Sequence, residues 1–555
     1  MTLKESLAAL IQGDVADDAE TLKKFSRDTS IFTRRPKLVV SPKSTDDVAA
    51  LVRYVSAAKK EGQDISVTGR SAGTDMSGGP LTDSIVVSFT KYMNHMLDIG
   101  SDYAVAEPGM YYRDFEKETL AKNGMLLASY PASRELCALG GIVSNNSAGE
   151  LTLRYGKTDR YVRELDTVLS DGSKAILRPL SRADLEAKKA EQNLEGEIYR
   201  KMHALIEENW QEIRAATPRV SKNSAGYALW NVYDRQSGIF DLTKLITGSQ
   251  GTLALVTKMK LGLVKPKPHH AMLVVFMSDL KTLPDIVRTV LEHEPESFES
   301  YDDQTFKLAV RFLPQILKQL GIAKAIHLGF SFLPEVGMAL TGGVPKLILM
   351  AEFAEDTHEL ALKKAIDTRA ALMHFPIKMK IAANEAATKK YWTMRRESFA
   401  LLRKNLHGYY ASPFVDDFVV EPSTYPQFLP ELNSLLSNYD LIYTIAGHVG
   451  NGNFHIIPLM NLADPKARSI IMELTPKVYD LVAKYRGSTT GEHNDGIIRT
   501  PFLSKMFSPK MLELFAETKK IFDPQNIFNP GKKVPMPGIG GTEAEIEKYM
   551  LKTSG

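Results

Sequence analysis

Three stretches of this 555-residue chain are too poor in bulky side chains to build a core of their own, and each lies among strand-like runs. The first is Gly69-Arg70-Ser71-Ala72-Gly73-Thr74-Asp75-Met76-Ser77-Gly78-Gly79. The second runs from Pro131 to Gly149 and includes Gly140, Gly141, Ser144, Asn145 and Ala148. The third is Thr247-Gly248-Ser249-Gln250-Gly251-Thr252-Leu253. Small residues let backbone N–H groups converge on an anion, or let the chain lie against a flat ligand. The first stretch is neither a G-x-G-x-x-G dinucleotide fingerprint nor a G-x-x-x-x-G-K-[ST] phosphate loop. One such segment says little. Three in order, with strands around them, point to a mixed α and β unit that cradles a ligand.

The remaining pattern divides the chain into four parts. Residues 1–34 read as a helical lead-in. A strand follows at 36–42, then a helix capped by Thr45, with Val48, Leu51, Val52 and Val55 at helical spacing. Residues 65–68 and 85–89 are further strands, and strand signals dominate from about 100 to 265. Lys265-Pro266-Lys267-Pro268 punctuates a boundary. Residues 35–265 are thus expected to form one domain and 266–505 a second, in which strands alternate with helices near 279–293 and 356–371. Residues 506–555 form a C-terminal helical segment. The stretch 329–343 reads as a loop.

Apolar content of 44% and charged content of 24% suit a globular protein with a sizeable core. A net charge of +3 gives no basis for a nucleic-acid partner. Cys137 is the sole cysteine, which rules out an internal disulfide and a thiolate-held iron–sulfur cluster. That points to a reducing compartment, the cytoplasm, with peripheral attachment to the inner membrane left open. The first residues lack the apolar core of a signal peptide. No uncharged apolar run reaches the roughly 18 residues of a membrane span.

The chemistry is concentrated near the C-terminal end. His448 and His455 stand seven positions apart in Gly447-His448-Val449-Gly450-Asn451-Gly452-Asn453-Phe454-His455, and Glu492 and His493 follow in Gly491-Glu492-His493. Only twelve histidines occur in the chain, so the clustering is informative. Imidazole and carboxylate together suit zinc, manganese, cobalt or iron, with positions left open for substrate. His448, His455 and Glu492 are the expected metal ligands, zinc favoured. His493 follows Glu492 directly, so it is expected to point elsewhere and remain a spare base.

Arg70 to Gly79, Pro131 to Gly149, Arg154-Tyr155-Gly156 and Gly248 to Leu253 resemble the FAD-binding domain of the vanillyl-alcohol oxidase / p-cresol methylhydroxylase (PCMH) superfamily. The resemblance is strongest to its D-lactate, glycolate and D-2-hydroxyglutarate dehydrogenase branch. That branch carries motifs similar to His448–His455, to Gly491-Glu492-His493 and to the run Phe522 to Lys532. It implies an α+β fold: a PCMH-type FAD-binding domain of two α+β subdomains, and a C-terminal α+β cap whose antiparallel sheet is flanked by helices. It implies that Ser71, Ala72, Gly73, Thr74 and Asp75 cradle the FAD pyrophosphate, with Ser77 adding a hydroxyl and Arg70, Gly78 and Asn529 completing the set. Pro131, Gly140, Gly141, Ser144, Asn145, Ala148, Gly149 and the backbone of Val256 would line the flavin. Some relatives attach FAD covalently through a histidine in the first loop. Thr74 stands there, so non-covalent FAD is expected.

The same resemblance implies removal of a hydroxyl proton to His493 and of a hydride to flavin N5 of FAD. The substrate would be a small 2-hydroxy carboxylate. Arg395 matches the family's carboxylate-binding arginine in Trp392-Thr393-Met394-Arg395-Arg396, with Arg396 as the fallback, and Asn453 would fix orientation. Asn451 replaces a customary aspartate, which would alter metal affinity or choice. In Phe414-Val415-Asp416-Asp417-Phe418 the lysine that D-2-hydroxyglutarate dehydrogenases place before the aspartate is absent. This tilts the substrate toward a monocarboxylate such as D-lactate. Reduced flavin would pass its electrons to a cytochrome, a quinone or an electron-transfer flavoprotein. A homodimer is compatible with the sequence. The competing readings are an oxidase using oxygen, a metal-independent relative acting on another substrate class, and a non-catalytic flavin- or metal-binding module.

Overall fold

The computed structural model describes residues 2–302, 345–385, 387–389, 391–393, 395, 408–536, 538 and 540–552. Arg396 and the stretch 329–343 lie outside the described residues. The first sheet has four strands, in the order Asp14–Ala16, Leu38–Ser41, Ile85–Ser88 and Val67–Arg70. The last three are parallel. Leu38–Ser41 and Ile85–Ser88 are buried at every position, as suits strands covered on both faces. Helix Thr45–Lys60 connects within this layer and fully buries Val48, Leu51, Val52 and Val55. Each such burial stabilises by roughly 1.5–3 kcal/mol. The cap is Ser44 rather than Thr45: its side chain accepts from the N–H of Asp47.

The lead-in is not wholly helical. Asp14–Ala16 pairs antiparallel with Leu38–Ser41 between helices Leu3–Ala8 and Ala19–Phe25. A second sheet runs Met96–Ile99, Tyr103–Ala106, Leu255–Gly262, Val162–Val168, Lys174–Leu177, all antiparallel. Leu255–Gly262 is central and leaves directly from the third small-residue stretch. The interval 182–215, expected to be strand-rich, is instead three helices, Arg182–Ala190, Leu194–Glu208 and Trp210–Ala215. Ile198, Tyr199, Met202, Leu205 and Ile206 form the buried stripe of the longest one.

The third sheet is antiparallel. Its order is Lys378–Ala382, His269–Met277, Leu347–Glu355, Ser297–Asp302, Ile442–His448, Asn453–Met460, Tyr410–Ala411, with Phe418–Val419 also on Asn453–Met460. Side chains alternate across it. Ala271, Leu273, Val275 and Met277 pack with helices Leu283–Glu292, His358–Ala371, Tyr425–Leu436 and Pro465–Lys484. Met272, Val274 and Phe276 face the other way, among Tyr301, Tyr391 and Trp392. After helix Pro509–Phe522 the chain runs beside the first sheet: Val67 N–H donates to Ile527 O at 2.8 Å and Asn529 N–H to Val67 O at 2.9 Å. Among the described residues no helix is long and apolar enough to cross a membrane.

Candidate active site

One continuous cavity of about 490 Å³ connects the small-residue stretches with the histidine cluster. Arg70, Ser71, Ala72, Gly73, Thr74 and Asp75 form one wall of it. Pro131, Gly140, Gly141, Ser144 and Asn145 form another, and Val256 closes the floor. The glycines are demanded by proximity. A Cβ on Gly140 would stand 2.5 Å from Ser71 Oγ and 2.7 Å from Pro108 Cβ, and Gly73 has φ of +74°.

Ser77, Gly78, Ala148, Gly149 and Asn529 stand behind this wall instead of on it, because their groups brace the loops. Ser77 Oγ donates to Asp75 Oδ1 at 2.7 Å. Asn529 Nδ2 donates to Gly79 O at 3.0 Å and to Gln250 O at 2.8 Å. Gly149 admits Tyr130 O where a Cβ would be, 2.1 Å away.

At the far end of the cavity, strands Ile442–His448 and Asn453–Met460 bring His448 and His455 together, with ring centroids 5.3 Å apart. The turn Gly491-Glu492-His493 closes over them. His448 Nε2 lies 3.4 Å from Glu492 Oε1 and His455 Nε2 lies 3.5 Å from the same oxygen. A tetrahedral site with bonds of about 2.0–2.1 Å has ligand-to-ligand edges of about 3.4 Å. These two edges fit. His493 does not turn away as expected: its Nε2 also faces Glu492 Oε1, at 3.8 Å, and its ring stacks on His455 at 5.2 Å. Asp416, behind both rings, draws it inward.

Carboxylates outside the motif set these rings. His448 Nδ1 donates to Glu299 Oε1 at 2.6 Å. Asp416 Oδ1 accepts from His455 Nδ1 at 2.9 Å, and its Oδ2 stands 2.7 Å from His493 Nδ1 as an ion-pair contact. With Nδ1 protonated, each Nε2 presents its lone pair to the common centre. Glu299 also pairs with Arg395, which lines the cavity beside His448. Asn453 is fully buried and does not line the cavity. Its Nδ2 donates to Asp417 Oδ1 at 3.1 Å, and Asp417 Oδ2 accepts the backbone N–H groups of Glu492 and His493 at 2.9 and 2.7 Å. It therefore shapes the ligand turn.

Burial opposes charge on each of these groups, and neighbouring charges decide the outcome. Lys222 and His448 hold Glu492 well below the usual carboxylate range. Arg395 and His448 lower Glu299. His455 is carried up to about 10 by Asp416 and Glu492, and His493 is raised by Asp417 and Asp416. These carboxylates thus draw protons onto His455 and His493. A divalent cation would displace them, so the donor set fits the expected metal. The small-residue walls likewise fit a flat, polar-edged cofactor.

Comparison with known proteins decides the family. Residues 36–176 match the FAD binding domain, and residues 266–533 match the C-terminal domain of FAD linked oxidases. The chain belongs to the FAD-linked oxidases. Its fold is that of 4-ethylphenol oxidase from Gulosibacter chungangensis, with a TM-score of 0.68 at 16% identity over 96% of this chain and 97% of that one. Among sequence relatives of this FAD-linked oxidase, the D-2-hydroxyglutarate dehydrogenase of Pseudomonas putida is 27% identical over 94% of this chain and 50% of its own length. The D-lactate dehydrogenase of Archaeoglobus fulgidus is 24% identical over 90% of this chain and 91% of its own. The chain spans about half the length of the D-2-hydroxyglutarate dehydrogenases of Pseudomonas putida and Escherichia coli. Glu299 and Lys222, central to the geometry, lie in no sequence motif, and Asp416 lies in the stretch Phe414 to Phe418, whose only signal is an absent lysine.

Proposed function

We propose that this FAD-linked oxidase family member is a metal-assisted dehydrogenase that oxidises a D-2-hydroxy acid to the 2-oxo acid. The observation that carries the reading is the single cavity with the small-residue walls at one end and three converging Nε2 atoms at the other. FAD would be held by Arg70 to Asp75 and by Gly140 to Asn145, and when bound it supplies the hydride acceptor. A divalent metal, zinc favoured, would be held by His448, His455 and Glu492, and when bound it acidifies the substrate hydroxyl. Arg395 fixes the substrate carboxylate. His493 Nε2 takes the hydroxyl proton, while Asp416 keeps the hydrogen on Nδ1 and so keeps Nε2 basic.

A monocarboxylate such as D-lactate fits best. The stretch Phe414 to Phe418 lacks the lysine, and Asp416 within it faces two imidazoles. Thr444, Ala446 and Ile457 line the cavity near the cluster and bring no cation for a second carboxylate. Thr74 cannot attach a flavin, so acid precipitation is expected to release all of the FAD into the supernatant. Electrons would pass onward to a separate acceptor, a cytochrome, a quinone or an electron-transfer flavoprotein.

The test is anaerobic titration of the yellow protein with D- and L-2-hydroxy acids. D-Lactate should bleach the flavin band, and prior treatment with a chelator should abolish the bleaching. Bleaching by D-lactate that survives metal removal would overturn the metal's part. Bleaching by D-2-hydroxyglutarate alone would overturn the choice of substrate.

A further inference from the structure

Glu492 presents two oxygens, and they have different partners. Oε1 faces the three histidine Nε2 atoms. Oε2 accepts a hydrogen bond from Lys222 Nζ at 3.0 Å. Lys222 is completely buried and comes from residues 221–226, which belong to neither sheet strand nor helix. Its ammonium also donates to Asn453 Oδ1 at 3.3 Å. It does not line the cavity and touches the ligand set directly through Glu492.

The segment carrying Lys222 is fixed along its whole length to the loops that hold the metal-ligand set. Ser221 Oγ donates to Asn451 O at 2.8 Å, and Ser488 Oγ donates to Asn223 Oδ1 at 2.7 Å. Ser224 N–H donates to Thr490 O at 2.9 Å, and Gly226 N–H to Asp495 Oδ2 at 2.9 Å. Ser224 Oγ reaches both Gly491 O and Asn145 O, at 3.1 and 3.2 Å. The lysine is therefore placed by its backbone on either side, with the ligand turn and the flavin wall both in register.

We propose that Lys222 restrains Glu492 to one-oxygen coordination and so keeps the metal centre low-coordinate, with a position open for the substrate. An unrestrained carboxylate can close on a cation with both oxygens, which raises the coordination number and fills the site. With Oε2 committed to a buried ammonium, Oε1 alone is available. Together with two imidazoles this is a three-ligand set of the open type. The same restraint favours zinc and cobalt over metals that need six ligands. Lys222 is thus a positioning residue, and the inference rests on the metal reading given above.

The test uses the FAD-loaded full chain with its metal replaced by cobalt(II). The visible ligand-field band beyond the flavin absorption is intense for four- or five-coordinate cobalt and weak for six-coordinate cobalt. The wild-type protein should show the intense band. Lys222→Met, with stoichiometric cobalt and FAD retained, should lose intensity several-fold as Glu492 closes onto the metal. An equally intense band in that variant would overturn the proposal. X-ray absorption at the zinc edge of the wild-type protein tests the same point without a variant: a bidentate carboxylate there would also overturn it. A protein that takes up neither zinc nor cobalt would overturn the metal reading itself, and this inference with it. The other two outcomes strike the inference alone.

Discussion

His493 has the least settled position of the four site residues, and distance separates its two possible roles. Its Nε2 is 3.8 Å from Glu492 Oε1, against 3.4 and 3.5 Å for His448 and His455. Only the two shorter separations match a tetrahedral edge. The longer one suits a base that stands beside the metal and faces the substrate. His493→Ala should therefore keep stoichiometric FAD and metal while flavin reduction slows by about 10²–10⁴-fold. Stopped-flow absorbance with metal analysis checks this, and a variant that loses its metal would make His493 a fourth ligand. That His448 and His455 would stand together was legible in the sequence because seven-residue spacing on a turn is a local signal. Their supports were not. Glu299 meets His448 across 149 positions and Lys222 meets Glu492 across 270. A single charged residue on a strand or loop has no pattern until the sheet places it. Asp416 lies in the stretch Phe414 to Phe418, whose sequence signal is only an absent lysine, yet its two oxygens face two imidazoles.

At the scale of elements, the cofactor wall depends on a short helix, Leu139–Asn145, packed against Pro108 and against Ser71 of the first loop. Gly140 permits that approach: Pro108 O is 2.8 Å and Pro108 Cβ 2.7 Å from where a Cβ would be. Neither is the end of a flexible side chain, so the helix must retreat. Gly140→Ala should weaken FAD binding by tenfold or more, on the order of 1–3 kcal/mol of overpacking, while the fold persists. Flavin fluorescence titration of the apoprotein reads it out, and wild-type affinity would show that the helix has room. Elements with strong periodicity or uninterrupted apolar runs were visible beforehand, among them Leu38–Ser41, Ile85–Ser88 and Thr45–Lys60. The helix Leu194–Glu208 has an amphipathic pattern, with Ile198, Met202, Leu205 and Ile206 at helical spacing and charged residues between them, so its helical character lies in the sequence although the interval reads as strand-rich. The strand Asp14–Ala16 was missed because three residues beginning with an acid carry no period, and only pairing with Leu38–Ser41 makes them a strand.

For the whole molecule, residues 25–33 are the junction where the cofactor loop, the third-sheet region and the C-terminal segment meet. Thr29 N–H donates to Asp75 O at 3.0 Å, Arg70 Nη2 to Arg27 O at 2.6 Å, Tyr410 OH to Ser30 O at 3.0 Å and Leu551 N–H to Ile31 O at 2.9 Å. Asp28 is half-buried there, with its Oδ2 turned inward. Its Oδ1 accepts from Ser30 N–H at 2.9 Å, while Oδ2 is buried with no hydrogen-bond partner among the described residues. Burial, helped by the nearby charge of Asp75, raises this carboxyl from its ordinary value to about 7. A folded-state pKa above the unfolded one means that the native state holds the extra proton between the two. The contribution to stability is complete below about pH 4, declines as pH rises to about 7, and is flat beyond. Asparagine removes the titration, keeps an oxygen for Ser30 and offers N–H where Oδ2 would carry its proton. Asp28→Asn should therefore match the wild-type Tm near pH 4, exceed it by a growing margin up to about pH 7, and hold that margin at pH 8. Thermal unfolding of the holoprotein across this range measures the difference. A margin equal at pH 4 and pH 8 would show that Asp28 titrates as an ordinary carboxyl, and the junction would then carry no pH dependence of its own.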